Sequence, residues 1–463
     1  MEAFAIPGPT AALARYAAQL RSADLPVPVT RKLRQLLLDC LGNQLGAYAE
    51  PQAQMLYDAL EVAATAGDST VVGYGTKTSA LLAGCMNGML AHLLDMDDAH
   101  RDSLTKTGSA ITPAVMAIGE AVQASGADIV RSAAAGYEVM IRLGLAVNPG
   151  HRSRGFHSTA TLGAFGAAVA AGCILRLTPE RMIDALGIAG TQCAGLTAFI
   201  NNASMTKPLN VAKAVHSGIL AARLAHQGYR GPPDVLEGAE GFFRAYCDAY
   251  DTDVLLDGLG ERYRLLESGF KPHAACRYAH APIDAAVHLM AHERLDAADI
   301  VGIDVYLSEL ASRQSNFYDP ASVASAQGST PFVIAASVAS CATSLSVADV
   351  KRALSDPAVH ALHRRVKLHV DPGMPYMGRG ARVVIRLRDG RSHERSVELP
   401  RGEPEYPMSD HDIEEKFMRQ AQAAVGMAQA QAIRDYVGAL DAQPAVRDLM
   451  RLCAAADPRL RAA

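Results

Sequence analysis

Up to about residue 265, apolar side chains recur at three- and four-residue intervals between short polar turns, a pattern that predicts one helix after another. Thr30, before RKLRQLLLDC, is predicted to cap one helix. The Thr-Pro pairs at 112–113 and 178–179 are predicted to open two more, with proline in the first turn. Gly126, after QAS, is expected to end a helix. The many alanines and glycines indicate helices that pack closely against one another.

One uncharged stretch, residues 158–175 (STATLGAFGAAVAAGCIL), is long enough to raise the question of a membrane span. Alanine, glycine, serine and threonine dominate it, and these residues insert into a bilayer only weakly. A helix buried in a helical core is therefore predicted, and no membrane association is expected. The N-terminal MEAFAIPGPT lacks a basic start followed by an apolar block, so no signal peptide is expected.

Beyond about residue 265 the pattern changes to alternation typical of strands, in IVGIDVYLSEL, VKLHVD, ARVVIRLRDG and RSHERSVEL. Arg388-Asp389-Gly390 is predicted to form a hairpin turn. A helix capped by Ser409 follows. The predicted fold class is therefore mainly α, with a large all-helical domain formed from both chain ends (1–267 and 405–463) and a smaller α+β domain (268–404).

Composition narrows the functional classes. Of 463 residues, 49% are apolar and 20% charged, which is typical of a globular protein. The net charge is −4 and no run of five basic residues occurs, so nucleic acid is not an expected partner. Eight cysteines are scattered without a CxxC pair, which favours reduced thiols in a cytoplasmic protein over disulfides or a zinc site.

Polar segments interrupt this background, and the first is HLLDMDDAHRDSLTKTG, residues 92–108. Its aspartates Asp95, Asp97 and Asp98 allow three interpretations. A magnesium site like that of terpenoid synthases would need an acid at Arg101 and a second acidic motif, and the sequence has neither. The alternatives are a solvated helix end, or a polar helix terminus in a cleft where Asp95 pairs with a cation.

Two further segments each present one conspicuous side chain. His157 lies just before the uncharged helix. Its ring is either hydrogen bonded to a backbone carbonyl or faces a cavity, where an imidazole is the natural general acid or base. Lys207 is the only charged residue between Asp184 and Lys213. It is either a surface residue or a fixed cation that binds an anion.

The fourth segment, KPHAACRYAH, places four basic side chains at the suspected domain boundary: Lys271, His273, Arg277 and His280. Ligands bind preferentially at such boundaries, although basic helix starts are also common on plain surfaces. Two other histidine pairs lack a third ligand and are interpreted as structural, so no metal site is predicted: His288 with His292, and His360 with His363.

These segments together supply cations and imidazoles without a phosphate-binding loop or a nucleophile elbow. This combination favours a small polycarboxylate substrate, held by lysine and arginine, in which a proton is moved on the carbon beside a carboxylate. Because such a C–H bond is weakly acidic, most of the catalytic effect must come from positive charge that stabilises an enolate-like state.

Several motifs, in this order and spacing, resemble the MmgE/PrpD family from about residue 10 to about residue 425. The family includes 2-methylcitrate dehydratase, cis-aconitate decarboxylase and iminodisuccinate epimerase. The resemblance implies a homodimer that works without a metal or organic cofactor and binds its substrate between the domains. The motifs are AHLLDMDDAH, GYEVMIRLG, RGFHSTATLGAFGAA, LGIAGTQCAGL, TKPLN followed by AVHSG, and KPHAACRYAHAPIDAA.

The resemblance also implies roles for individual residues. His157 is expected to transfer the proton, while Lys207 and Lys271 are expected to bind carboxylates or the enolate. The catalytic candidates are His157, Lys106, Lys207 and Asp95; the substrate-binding candidates are Lys271, Cys276, Arg277, His280 and Phe332.

The chain departs from the family pattern at five positions. Ala99 replaces threonine, Lys106 replaces the histidine of HPG, and Phe332 replaces the tyrosine of SLPY. Pro208 and Asn210 replace the arginine and histidine of TKRLH. These changes remove candidate proton donors. Lys106 would replace one if burial lowers its pKa, or would act as the second base of an epimerase.

The predicted function is accordingly an enzyme that abstracts a proton α to a carboxylate of a small di- or tricarboxylic acid, with loss of water or carbon dioxide as the leading outcome. An epimerase is the first alternative. The second is a catalytically inactive homologue that binds carboxylates.

Overall fold

The computed structural model describes residues 8–201, 204–340 and 343–455. The protein is mainly α with a small sheet region, as predicted. The helices are α1 (Pro9–Gln19), α2 (Val27–Ala47), α3 (Pro51–Ala59), α4 (Ala80–Leu93), α5 (Thr107–Ala121), α6 (Gly126–Val147), α7 (Gly150–Ser153), α8 (Ser158–Ile174), α9 (Pro179–Gly190), α10 (Thr206–His226), α11 (Phe242–Tyr246), α12 (Asp253–Leu256), α13 (His280–His292), α14 (Glu309–Ser315), α15 (Val323–Gly328), α16 (Thr330–Ser340), α17 (Val347–Ala353), α18 (Pro357–His363), α19 (Asp410–Val425), α20 (Met427–Gly438) and α21 (Arg447–Leu452). The strands are β1 (Ser69–Thr70), β2 (Lys77–Thr78), β3 (Ala99–His100), β4 (Ser268–Gly269), β5 (Ile300–Leu307), β6 (Val366–Val370), β7 (Ala381–Leu387) and β8 (Ser392–Val397).

The chain divides into two compact units. The larger unit comprises Met1–Leu93, Asp97–Ser268 and Ser409–Ala463, and the smaller comprises Leu94–Met96 and Gly269–Met408. The three residues Leu94–Met96 are separated in sequence from the rest of the smaller unit, and nothing in the sequence pattern predicts this.

Helix α8 is the centre of the larger unit. Every one of its residues is buried, and it packs against α5, α6 and α10. Small side chains allow the close approach: a methyl group added at Gly218 of α10 would lie 2.5 Å from the Cβ atom of Ala167. The uncharged stretch is therefore a helix buried in a helical core, as predicted. In the described part of the chain, no helix combines the length and apolarity needed to cross a membrane.

The smaller unit is built on a four-stranded sheet in the order β6-β5-β7-β8. Strand β5 is parallel to β6 and antiparallel to β7, and β7 is antiparallel to β8. Helix α13 packs on β7 and β8, and α16 packs on β6. The predicted hairpin turn is present: Gly390 has a φ of 90°, and its N–H donates to the Leu387 carbonyl at 3.1 Å.

Two of the predicted helix caps are confirmed. The Thr178 hydroxyl accepts a hydrogen bond from the Arg181 N–H at 3.4 Å, at the start of α9. The Ser409 hydroxyl accepts from the Asp412 N–H at 3.2 Å, and the Asp412 carboxylate accepts from the Ser409 N–H at 2.9 Å. This reciprocal arrangement is a capping box, and it satisfies two N–H groups at the start of α19.

Three predicted helix ends are wrong. Thr30 lies inside α2, where its hydroxyl donates to the Val27 carbonyl. The Thr-Pro pair at 112–113 lies inside α5, which begins about one and a half turns earlier. Gly126 begins α6 instead of ending a helix, because the Ser125 hydroxyl accepts from the Asp128 N–H and caps this helix.

Candidate functional site

The N-termini of three helices meet in the larger unit. The Lys106 backbone N–H, just before α5, donates to the Thr159 hydroxyl in the first turn of α8 at 3.0 Å. The Asn210 side-chain nitrogen, in the first turns of α10, lies 3.5 Å from His157 Nδ1, just before α8. Helix N-termini carry partial positive charge and N–H groups without helical partners, so their convergence favours a bound anion.

Basic side chains stand at all three of these N-termini. Lys106 is the N-cap residue of α5, His157 is that of α8, and Lys207 is the second residue of α10. Both lysines are partly exposed. Positive charge at a helix N-terminus opposes the helix dipole and is normally unfavourable. Two lysines and a histidine at one place are therefore the pattern of an anion-binding site rather than of helix stabilisation.

His157 lies in a nearly closed environment. Its side chain is 9% exposed, and its ring contacts those of His92 and Phe199, with centroid distances of 5.7 and 5.3 Å. Burial lowers the pKa of His157 well below its usual range, and the positive charges of His92 and Lys207 lower it further. The imidazole is therefore neutral near pH 7 and able to accept a proton.

The aspartates of the 92–108 segment differ in their surroundings, and two of them are buried. Asp97 Oδ2 and His92 Nδ1 are 2.6 Å apart. Asp98 Oδ1 accepts from the Gly108 N–H of α5 at 3.0 Å, and Asp98 Oδ2 accepts from the Tyr137 hydroxyl at 3.3 Å. The interpretation as a solvated helix end is thus wrong for these two residues. Among the residues that the structure describes, no group of three or more His, Cys, Asp or Glu side chains could hold a metal ion.

In the smaller unit, Asp95 is paired with a lysine. The Lys271 ammonium donates to the Asp95 carbonyl at 2.5 Å, to Asp95 Oδ1 at 2.9 Å and to the Ala275 carbonyl at 3.0 Å. Asp95 has a φ of 53°, a left-handed conformation that is strained for a side chain other than glycine. The Gln327 side chain also donates to the Leu94 carbonyl at 2.7 Å, so the segment Leu94–Met96 is held at two points.

Arg277 and His280 form a buried network in the smaller unit. Arg277 donates to Glu403 Oε1 at 2.9 Å and to His280 Nδ1 at 3.2 Å, and His280 Nε2 donates to the Ala275 carbonyl at 3.2 Å. Burial alone would raise the pKa of Glu403, but Arg277 and Arg379 bring it to about 2. The network fixes the backbone that carries the KPHAACRYAH motif.

The two remaining candidates differ in exposure. Cys276 is partly exposed, and its N–H donates to the Gln327 carbonyl at 2.7 Å. Phe332 is fully buried in the apolar core of the smaller unit, with its ring edge-on to those of His360 and His363 at 5.8 Å each. This placement offers no exposed surface of Phe332 to a ligand, and its role in substrate binding stays a prediction.

The structure thus brings the candidates together as two sets. In the larger unit, His92 and Asp97 join the set around His157. The sequence predicts neither their pairing nor their place beside His157. A histidine five residues before an aspartate has no helical or strand spacing that would indicate pairing, and the only signal was their presence in the polar segment. The set of the larger unit is Lys106, His157 and Lys207; that of the smaller unit is Asp95, Lys271, Cys276, Arg277 and His280.

Comparison with known proteins gives matches over nearly the whole chain. The MmgE/PrpD N-terminal domain matches residues 11–255, and the MmgE/PrpD C-terminal domain matches residues 273–442. A cis-aconitate decarboxylase of Aspergillus terreus is 28% identical over 470 residues, covering 96% of both chains. A cis-aconitate decarboxylase-like protein of Aspergillus oryzae is 26% identical over 469 residues, again covering 96% of both. The cis-aconitate decarboxylase of Homo sapiens is 27% identical over 424 residues, covering 87% of this chain and 85% of its own.

Proposed function

Because the chain belongs to the MmgE/PrpD family, we propose that it is a lyase that moves a proton at the carbon beside a carboxylate of a small di- or tricarboxylic acid. Decarboxylation is the leading outcome, since the relatives named above are cis-aconitate decarboxylases or similar proteins. The observation that carries the proposal is the meeting of three helix N-termini, two of which carry a lysine and the third the neutral imidazole of His157.

Substrate carboxylates are the proposed ligands of these N-termini. Lys106 and Lys207 supply fixed positive charge, and the N-termini of α5, α8 and α10 add the partial positive charge of the helix dipoles. The same groups stabilise the negative charge that develops when a proton, carbon dioxide or hydroxide leaves the substrate. In other enzymes, removal of one such donor costs about 100- to 1000-fold in kcat.

His157 is the proposed proton-transfer residue. Its neutral ring accepts a proton from the carbon beside a carboxylate, or returns one to that carbon at the end of the reaction. The low exposure of the ring limits competing proton exchange with bulk water. The positive charge of Lys207, which lowers the pKa of His157, also makes transfer of the proton back to the substrate easier.

The substrate contacts proposed for the smaller unit differ in the free energy lost when a substrate carboxylate replaces an existing partner. At Lys271, a substrate carboxylate would take the place of one Asp95 oxygen, and the ammonium would keep its other acceptors. At Arg277, the same exchange would break the ion pair with the buried Glu403 carboxylate and leave Arg379 to balance its charge, which is unfavourable. We therefore rank Lys271, Asp95 and Cys276 ahead of Arg277 and the adjacent His280 as substrate contacts.

An epimerase is the second candidate function. Inversion at a carbon requires a second base, and Lys106 stands at the N-terminus next to that of His157, linked to it by the hydrogen bond to Thr159. The replacement of candidate donors by Ala99 and Asn210 also reduces the number of groups that could protonate a leaving hydroxyl.

Proton NMR in heavy water, with purified protein and a panel of small polycarboxylates that includes cis-aconitate, tests the proposal. We expect deuterium at the carbon beside a carboxylate, together with release of carbon dioxide. Loss of water instead would identify a dehydratase, and deuterated starting material of inverted configuration an epimerase. Saturable binding without exchange or conversion of any compound would contradict catalysis and identify a carboxylate-binding homologue.

A further inference from the structure

A second imidazole lies beside His157 in the larger unit. The ring of His92 lies 5.7 Å from that of His157 between centroids, and the two ring planes are inclined by only 30°. His92 follows a run of apolar residues near the C-terminus of α4 and is 1% exposed. A ligand that reaches the ring edge of His157 therefore comes within reach of His92 as well.

Asp97 fixes the orientation of this ring. Its Oδ2 lies 2.6 Å from His92 Nδ1, and both side chains are at most 1% exposed. A buried carboxylate is stable only when it is hydrogen bonded, so we assign the proton of this contact to His92 Nδ1, which donates to Asp97. A carboxylate that holds one imidazole nitrogen directs the other towards a ligand, as in many histidine sites.

The other nitrogen of this ring is Nε2. His92 Nε2 is buried and makes no hydrogen bond within the described residues. Buried polar atoms are nearly always hydrogen bonded in folded proteins, and an exception at the edge of a functional site calls for a ligand atom. A carboxylate oxygen placed at Nε2 would accept a hydrogen bond from this nitrogen and would favour a proton on it.

We propose that His92, held by Asp97 through Nδ1, binds a carboxylate of the substrate through Nε2. This inference rests on the proposed function and narrows its substrate class. Lys106, Lys207 and His92 then supply three side-chain donors around one neutral base, His157. Three donors match a tricarboxylic acid better than a dicarboxylic acid, because each carboxylate finds a donor of its own.

Binding of two unreactive ligands to wild-type protein, to two single variants, to their double variant and to a control variant tests the assignment. The ligands are propane-1,2,3-tricarboxylate and propane-1,3-dicarboxylate, which differ by one carboxylate, and calorimetry gives their dissociation constants. We expect His92→Gln to weaken tricarboxylate binding at least about tenfold, the loss typical of one charge-assisted hydrogen bond, and dicarboxylate binding by less than about twofold. Asp97→Asn is expected to act in the same way, and the double variant is expected to add little to either change.

His226→Gln is the matched control, since His226 is exposed at the far end of α10. It is expected to bind both ligands as the wild type does. Unchanged tricarboxylate binding by His92→Gln would overturn the inference, and so would equal weakening of both ligands, which is the result of a merely structural role. If the wild type binds neither ligand and converts no polycarboxylate, the proposed function itself fails.

A crystal structure of the wild-type protein with propane-1,2,3-tricarboxylate gives a test that does not depend on the folding of a variant. The expected result is a carboxylate oxygen at about 2.7–2.9 Å from His92 Nε2. A bound tricarboxylate whose oxygens all lie beyond hydrogen-bond distance of this atom would overturn the inference.

Discussion

Asp98 shows how far one buried position changes the chemistry of a side chain. Burial raises the pKa of this carboxyl to about 7, and the neighbouring carboxylates Asp97 and Asp39 act in the same direction. The hydrogen bond from the Gly108 N–H and the charge of Lys106 oppose the shift without cancelling it. The folded protein therefore binds this proton more tightly than the unfolded chain does.

The free energy of unfolding should consequently fall as the pH rises from about 4 to about 7, because Asp98 must ionise in a buried site. Asp98→Asn removes this titration and keeps an oxygen that accepts from the Gly108 N–H. We expect the variant to lose stability less steeply than the wild type over that range, and to be at least as stable as the wild type at about pH 8. Urea unfolding at several pH values measures both, and parallel curves for the two proteins would contradict the assignment.

At the scale of residues, the sequence showed some candidates better than others. Lys207 and His157 stood out because they were isolated polar groups beside apolar stretches. The Asp97–His92 pair did not, because pairing over five residues depends on how the chain turns after α4. The burial of Phe332 in an apolar core also depends on tertiary packing, which its motif does not reveal.

At the scale of elements, the sequence predicted helices well and their first residues less well. Thr178 caps α9 through local hydrogen bonds, which a sequence motif specifies directly. The start of α5 depends on contacts with distant residues: the Gly108 N–H donates to Asp98, and the Lys106 N–H donates to Thr159. Such partners are invisible in the local pattern, so the Thr-Pro pair was mistaken for the first turn.

Helices α2 and α19 come from opposite ends of the chain and share a buried ion pair. The Lys416 ammonium donates to Asp39 Oδ1 at 2.5 Å, and the two side chains are 2% and 1% exposed. Asn43 Nδ2 also donates to the Asp39 carboxylate, at 3.3 Å. Burial raises the pKa of Asp39 in spite of these partners, so this carboxylate depends on Lys416 for its charge balance.

Removal of the lysine alone should therefore be costly. We expect Lys416→Met to lower the free energy of unfolding by about 3–5 kcal/mol, the usual result when one member of a buried ion pair is removed. The double variant Asp39→Asn/Lys416→Met should recover part of this loss, because no charge is left buried. Lys213→Met, at an exposed position of α10, is the control and should have little effect in the same urea experiment. Wild-type stability of the single variant would refute this account of α2 and α19.

At the scale of the whole molecule, we propose that the two compact units are the two predicted domains. The larger unit would be the helical domain predicted at 1–267 and 405–463, and the smaller unit the α+β domain predicted at 268–404. The short strands β1, β2 and β3 lie in the larger unit, which is otherwise mainly helical within the described residues. The homodimer, the cytoplasmic location and the independence from cofactors remain predictions from the family resemblance and the composition. Light scattering on purified protein would determine the number of chains.

The central claim is that a neutral imidazole at a meeting point of helix N-termini transfers a proton to or from a polycarboxylate. The most direct test is the rate at which His157→Gln exchanges hydrogen at the carbon beside a carboxylate, measured by proton NMR in heavy water against wild type and His226→Gln. We predict a loss of at least about 100-fold for His157→Gln, the lower range for general acid–base catalysis, and no loss for His226→Gln. Exchange by a folded His157→Gln variant at the wild-type rate would contradict the account.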